Sequence, residues 1–148
     1  MKRASRNRAA DVDAGTELFD FVRDLQLPAD DFAVFGSGPL IVRKIIPPTN
    51  DLDIICRNDA WQRVKTLGEV RYLEKYDVSV VSMRDDTITF GNEWGIGDFD
   101  IGLLIDTAEQ ISGLPFVRLR YVIEYKTIAN RAKDIEHINA AREHGFVG

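Results

Sequence analysis

A short apolar run, Phe32 to Phe35, stops at Gly36-Ser37-Gly38, and Pro39 follows at once. Aromatic and β-branched residues bounded by glycines predict a buried strand and a tight turn. Proline suits the first turn of a helix, and Leu40, Ile41 and Ile45 give that helix its apolar side before Pro47-Pro48 stops it. The next segment, Asp51 to Cys56, alternates carboxylate and apolar residues. It predicts a strand with Asp51 and Asp53 on one face. Strand, glycine turn, short helix and acidic strand therefore follow one another within 25 residues. A turn between a buried strand and a helix offers backbone N–H groups to an anion. Small residues let a phosphate come close to the backbone.

The rest of the chain surrounds this core with mixed structure. Leu18, Phe21, Val22 and Leu25 recur at helical spacing, so residues 14–26 read as an amphipathic helix ended by Pro28. Asn58 reads as the N-cap of a helix through about Leu67. Strand-like runs follow at Val70–Leu73, Val78–Met83 and Thr87–Phe90, with Arg84-Asp85-Asp86 as a hairpin turn between the last two. Phe99, Ile101 and Leu103 alternate with Asp98, Asp100 and Gly102, which predicts a further half-polar strand. Gly113 and Pro115 mark a turn. Residues from about Leu119 to His144 read as two helices broken near Asn130. The expectation is an α+β fold of mixed α/β character: one domain over residues 13–148, with a mixed sheet flanked by helices.

Composition narrows the function classes. With 148 residues the chain has the length of one domain and buries roughly 70% of the surface its unfolded form exposes. It needs neither disulfides nor a structural metal. The single cysteine, Cys56, excludes an internal disulfide and reads as an inert buried thiol. The net charge of −5 disfavours bulk coating of nucleic acid and leaves room only for a local basic patch. No stretch approaches the ~20 apolar residues of a membrane span. Lys2, Arg3, Arg6 and Arg8 have no apolar run behind them, so residues 1–12 read as a flexible basic tail rather than a signal peptide. A reducing, cytoplasmic setting fits these features. His137 and His144 read as a solvated helix end. Trp61 and Trp94 read as packing residues, Trp94 in a glycine-rich loop with Gly91, Gly95 and Gly97.

Two carboxylates on one face repel unless something neutralises them. Mg²⁺ takes one or two carboxylates together with substrate phosphate oxygens. Two such ions clamp the attacking and leaving oxygens of an in-line phosphoryl displacement. A third carboxylate on a neighbouring strand, Asp98 or Asp100, would complete such a site.

These residues resemble a known family. Gly36-Ser37, a spacer of thirteen residues, Asp51-Leu52-Asp53 and a later strand aspartate are similar to the nucleotidyltransferase superfamily of polymerase-beta-like fold. Gly36-Ser37-Gly38-Pro39-Leu40 with Arg43, and Thr49-Asn50-Asp51-Leu52-Asp53, look like the small bacterial abortive-infection toxins and the lincosamide and aminoglycoside nucleotidyltransferases. Lys126, Arg131, Lys133 and Asp134 resemble the helical K-x4-R-x-K-D motif of these enzymes. The resemblance covers about residues 30–140. It implies an Mg²⁺-dependent enzyme, with two ions and Mn²⁺ as a substitute. Such an enzyme moves a nucleoside monophosphate from an NTP to an acceptor hydroxyl and releases pyrophosphate. By the same resemblance Gly36, Ser37, Gly38, Arg43 and Lys126 would bind the nucleotide. Asp51, Asp53 and Asp100 would be the catalytic, metal-binding carboxylates. The acceptor would be a small molecule or tRNA. The alternative is a catalytically inactive member that binds nucleotide or a partner protein, as in a toxin–antitoxin or regulatory pair, or that self-associates.

Overall fold

The computed structural model describes residues 13–147, so the expected basic tail, residues 1–12, lies outside the described residues. Seven strands form one mixed sheet in the order β3-β4-β5-β2-β1-β7-β6. They are β1 (Phe32–Phe35), β2 (Leu52–Cys56), β3 (Val70–Leu73), β4 (Val78–Met83), β5 (Ile88–Gly91), β6 (Glu109–Ile111) and β7 (Leu114–Phe116). The helices are α1 (Asp13–Leu25), α2 (Gly38–Val42), α3 (Asn58–Leu67), α4 (Ile101–Asp106), α5 (Leu119–Ala129) and α6 (Ala132–Glu143). A mixed α/β architecture on a single sheet is therefore what this sequence forms. Among the described residues no helix is long and apolar enough to cross a membrane.

The centre of the sheet holds the sequence's most apolar strands. All four residues of β1 are buried, and β1 lies antiparallel to β2 with Phe35 opposite Asp53. On its other side β2 runs parallel to β5, with Asp53 opposite Thr89. The pleat sends alternate residues to opposite faces. One face carries Val34, Leu52, Ile54, Phe90 and Phe116. α1 covers it there, with Phe19 edge-on to Phe116 at 5.4 Å between ring centroids. The other face carries Phe35, Asp53, Ile55 and Thr89. α5 reaches it with Tyr125, whose ring lies 5.3 Å from that of Phe35. The loop after β5 reaches the same face with Trp94, 4.4 Å from Phe35.

Three expectations need correction. The alternating stretch Phe99–Leu103 is not a strand. Asp100 is the N-cap of α4, and its carboxylate accepts a hydrogen bond from the Leu103 N–H. Its period-two pattern arises because Phe99 turns in to pack edge-on against Phe35, while the helix that follows buries Leu104 and Ile105. The helix opened by Pro39 ends at Val42 rather than near Ile45, because Lys44 takes a left-handed backbone (φ 62°). Pro115 is not part of a turn. The turn is Ser112-Gly113, both left-handed, and Pro115 lies inside β7 opposite Gln110. Arg84-Asp85-Asp86 does form the β4–β5 hairpin turn, with all three residues at positive φ. The two C-terminal helices break at Asn130, which is also left-handed.

Candidate functional site

Gly36 adopts φ 61°, a conformation open to glycine at little cost. This bends the chain back over β2, and a Cβ at Gly36 would lie 2.8 Å from Asp53 Oδ2. Gly38 is as tightly constrained from the other side, where a Cβ would meet Val34 Cγ1 at 2.4 Å. The two glycines thus press the turn against the carboxylate strand and the core. α2, with five residues, is too short to carry much of a helix dipole.

Asp51 and Asp53 open into one cavity of about 180 Å³. Neither makes an ion pair among the described residues. Burial pushes the Asp53 carboxyl up to about 7, and the charge of Asp51 adds to the rise. Lys133, Lys126 and Arg131 pull in the opposite direction without cancelling it. A half-buried carboxyl beside an exposed one, with cations near but none in contact, is a site short of positive charge.

Lys126 is fully buried. Its ammonium donates to Ser37 Oγ at 3.1 Å and to Asp134 Oδ1 at 3.4 Å. Burial lowers its pKa, and the Asp134 carboxylate works against that. Asp134, also fully buried, accepts from the Arg131 backbone N–H at 3.0 Å and from Arg131 Nε at 2.6 Å. The Arg131 guanidinium reaches on to the Tyr125 hydroxyl at 3.4 Å. Burial would raise the Asp134 pKa, but the hydrogen bonds from Arg131 outweigh it and hold the carboxylate below its usual range. Lys126 thus ties the turn to the first turn of α6 rather than projecting into the cavity.

The structure brings together Gly36, Ser37, Asp51, Asp53 and Lys126, packs Gly38 against Val34 and Leu52 on the other side of the sheet, and leaves out two expected residues. Arg43 turns away from the pair, donating to Pro39 O at 2.8 Å and pairing with Glu109 on β6. Asp100 lies beside Arg57, which follows β2; a Cβ on Gly102 would sit within 3.4 Å of both side chains. Four residues of strand, roughly 13 Å, separate Asp53 from Arg57. Asp98 is exposed on the preceding loop and lines no part of the cavity. The strand position beside Asp53 on the same face belongs to Thr89. Among the described residues no group of three or more Asp, Glu, His or Cys side chains gathers as a metal cage. The donor set still suits one hard cation. Two carboxylates face one opening, and Mg²⁺ completes its shell with water and substrate oxygens.

Beyond the pair the cavity is lined mostly by apolar residues, with the polar Thr89 and Glu93 interspersed. Leu73, Tyr76, Val78 and Val80 line it from β3, β4 and their connection, and Trp94 and Ile96 roof it. Arg131 and Lys133 stand at the acidic end. Sequence reading did not assign Thr89, Tyr76 or Val80 to the site, although Thr89 between Ile88 and Phe90 is a polar residue on a buried strand. Cys56 is buried at the end of β2, where burial pushes its thiol up to about 12, as suits an inert residue. His137 is half-buried on α6, and burial lowers its pKa.

No protein-family model matches this chain, and comparison with curated proteins and with solved structures returns no match.

Proposed function

We propose that this chain is a nucleotidyltransferase-fold enzyme that binds an NTP with Mg²⁺ and transfers its nucleoside monophosphate to an acceptor hydroxyl. The observation that carries the reading is Asp53. It is a half-buried carboxyl pushed up to about 7 by desolvation, lying against the Gly36 turn and sharing a cavity with Asp51. A fold keeps such a costly group where a ligand supplies the missing charge. The strand, Gly-Ser turn, helix and Asp-x-Asp strand occur in the order that the resemblance implies, and Lys126 and Asp134 brace the turn from behind.

Asp51 and Asp53 would hold the metal. When bound, the ion supplies charge stabilisation at the reacting phosphoryl group. The Gly36-Ser37 turn would seat the polyphosphate, and Arg131 and Lys133 would draw it to the mouth by charge. The acceptor oxygen bonds to the α-phosphorus, the bond to the bridging oxygen breaks, pyrophosphate leaves, and the hydroxyl proton passes to solvent. Catalysis of this kind is mostly positioning.

Thr89 favours a second reading. With a neutral side chain where a third carboxylate would stand, the chain would bind Mg²⁺–nucleotide without turning it over, as a regulatory or partner-binding module. Pyrophosphate release from each of the four Mg²⁺–NTPs, assayed with small alcohols and with tRNA as acceptors, separates the two. Release that is lost in Asp51→Ala supports the enzyme. Tight nucleotide binding with no release supports the module.

A further inference from the structure

We infer that the end of the cavity walled by Leu73, Val78, Val80 and Trp94 is the acceptor site, and that it takes a hydroxyl borne on an apolar body no larger than one aromatic ring. The inference rests on the nucleotidyltransferase reading above and adds the substrate class.

Its first support is direction. Across the sheet the order is β1, then β2, then β5, β4 and β3. The Gly36-Ser37 turn ends β1, the carboxylate pair lies on β2, and the apolar walls come from β4 and β3 on the far side. In-line displacement requires the attacking oxygen to enter opposite the leaving group. With the polyphosphate on the β1 side and the reacting phosphorus at the pair, the attacker enters from the β5 side. Thr89 lies there, between the carboxylates and the apolar walls.

Size and chemistry give the second support. The whole cavity, acidic end included, is about 180 Å³ and lies below the ~300–1,000 Å³ that encloses a drug-sized molecule, so its far end sets an upper limit on what fits. A closed cavity of about 150 Å³ holds a benzene ring, which is therefore the largest body this opening takes. Val78 and Val80 are buried valines whose alternate side chains face this space, and Leu73 stands opposite Val78 on the same face. Trp94 roofs it, held by Phe35 and by the edge of Tyr125 at 4.9 Å. The Trp94 indole N–H is buried with no hydrogen-bond partner among the described residues, so its signal reports on a change in the packing of this roof.

Titration of the ¹⁵N-labelled full chain with p-cresol tests this, read at the two tryptophan indole signals and assigned with Trp61→Phe. Glycerol serves as the polar control, and the Mg²⁺ complexes of the four α,β-methylene NTP analogues serve as non-reacting nucleotides. The expected result is a saturable shift of the Trp94 signal with p-cresol and none with glycerol. The nucleotide-bound protein should then bind p-cresol with an affinity within about two-fold of that of the free protein. Competition between p-cresol and nucleotide would assign the slot to the nucleobase and overturn the inference, leaving the nucleotidyltransferase reading intact. No response of Trp94 to p-cresol would overturn the inference in the same way. Failure of all four nucleotides to bind would overturn the nucleotidyltransferase reading and the acceptor assignment with it.

Discussion

Asp53 concentrates the conflict between stability and function in one carboxyl. An acid whose folded pKa lies above its unfolded value holds its proton more tightly in the fold. The stability it lends is complete below pH 3.8 and is lost as the pH rises through about 7. Asp53→Asn keeps the shape and removes the charge. Relative to the parent, this variant should gain roughly 2–3 kcal/mol between pH 5 and pH 8, read from urea midpoints at the two pH values. Parallel pH profiles for parent and variant would show that the carboxyl is not strained by burial. Asp100 gives the matching control. Asp100→Ala should cost about 1 kcal/mol through the lost cap of α4, with Mg²⁺–nucleotide affinity unchanged. A loss of affinity in that variant would return Asp100 to the site.

The elements around the site differ in how far the sequence discloses them. β1, β2, β4 and the break at Asn130 are legible because apolar runs, alternation and turn residues agree with one another. The Phe99–Leu103 segment misleads because alternation is a local signal. A helix cap followed by inward-facing residues produces the same letters, and only the Phe99–Phe35 contact distinguishes them. Arg43 misleads for a similar reason, since its partner Glu109 is 66 positions away in sequence. The buried Lys126–Asp134 pair sits at the joint of α5 and α6, and its two members are not equivalent. Asp134→Ala strips the charge that faces Lys126 and the reciprocal cap that opens α6, so it should destabilise by about 3–5 kcal/mol. Arg131→Ala removes a partly exposed group and should cost less. Equal losses in thermal melts would contradict this ranking. Gly38→Ala should cost roughly 1–3 kcal/mol, because its methyl group collides with Val34 in the core.

At the scale of the whole molecule, one sheet serves two purposes. One face is closed by α1 and carries the hydrophobic core. The other is only partly closed, and its gap holds the carboxylate pair at one end and a mostly apolar slot at the other. The sequence discloses the acidic end because Asp-x-Asp sits beside a glycine turn. It does not disclose the slot, whose walls come from three strands and a loop spread over Leu73 to Ile96. In the proposed function Asp51 and Asp53 bind a nucleotide through Mg²⁺. The most direct measurement is thermal unfolding with ATP, GTP, CTP and UTP, each with and without Mg²⁺, on the parent chain and on Asp51→Ala/Asp53→Asn. Ligand at ~100 times its dissociation constant stabilises a fold by about 2.7 kcal/mol, a shift of several degrees for a domain of this size. Such a shift is expected for at least one nucleotide, present only with Mg²⁺ and absent in the double variant. No shift with any nucleotide, or a shift that persists in the double variant, would mean that Asp51 and Asp53 do not hold a Mg²⁺–nucleotide.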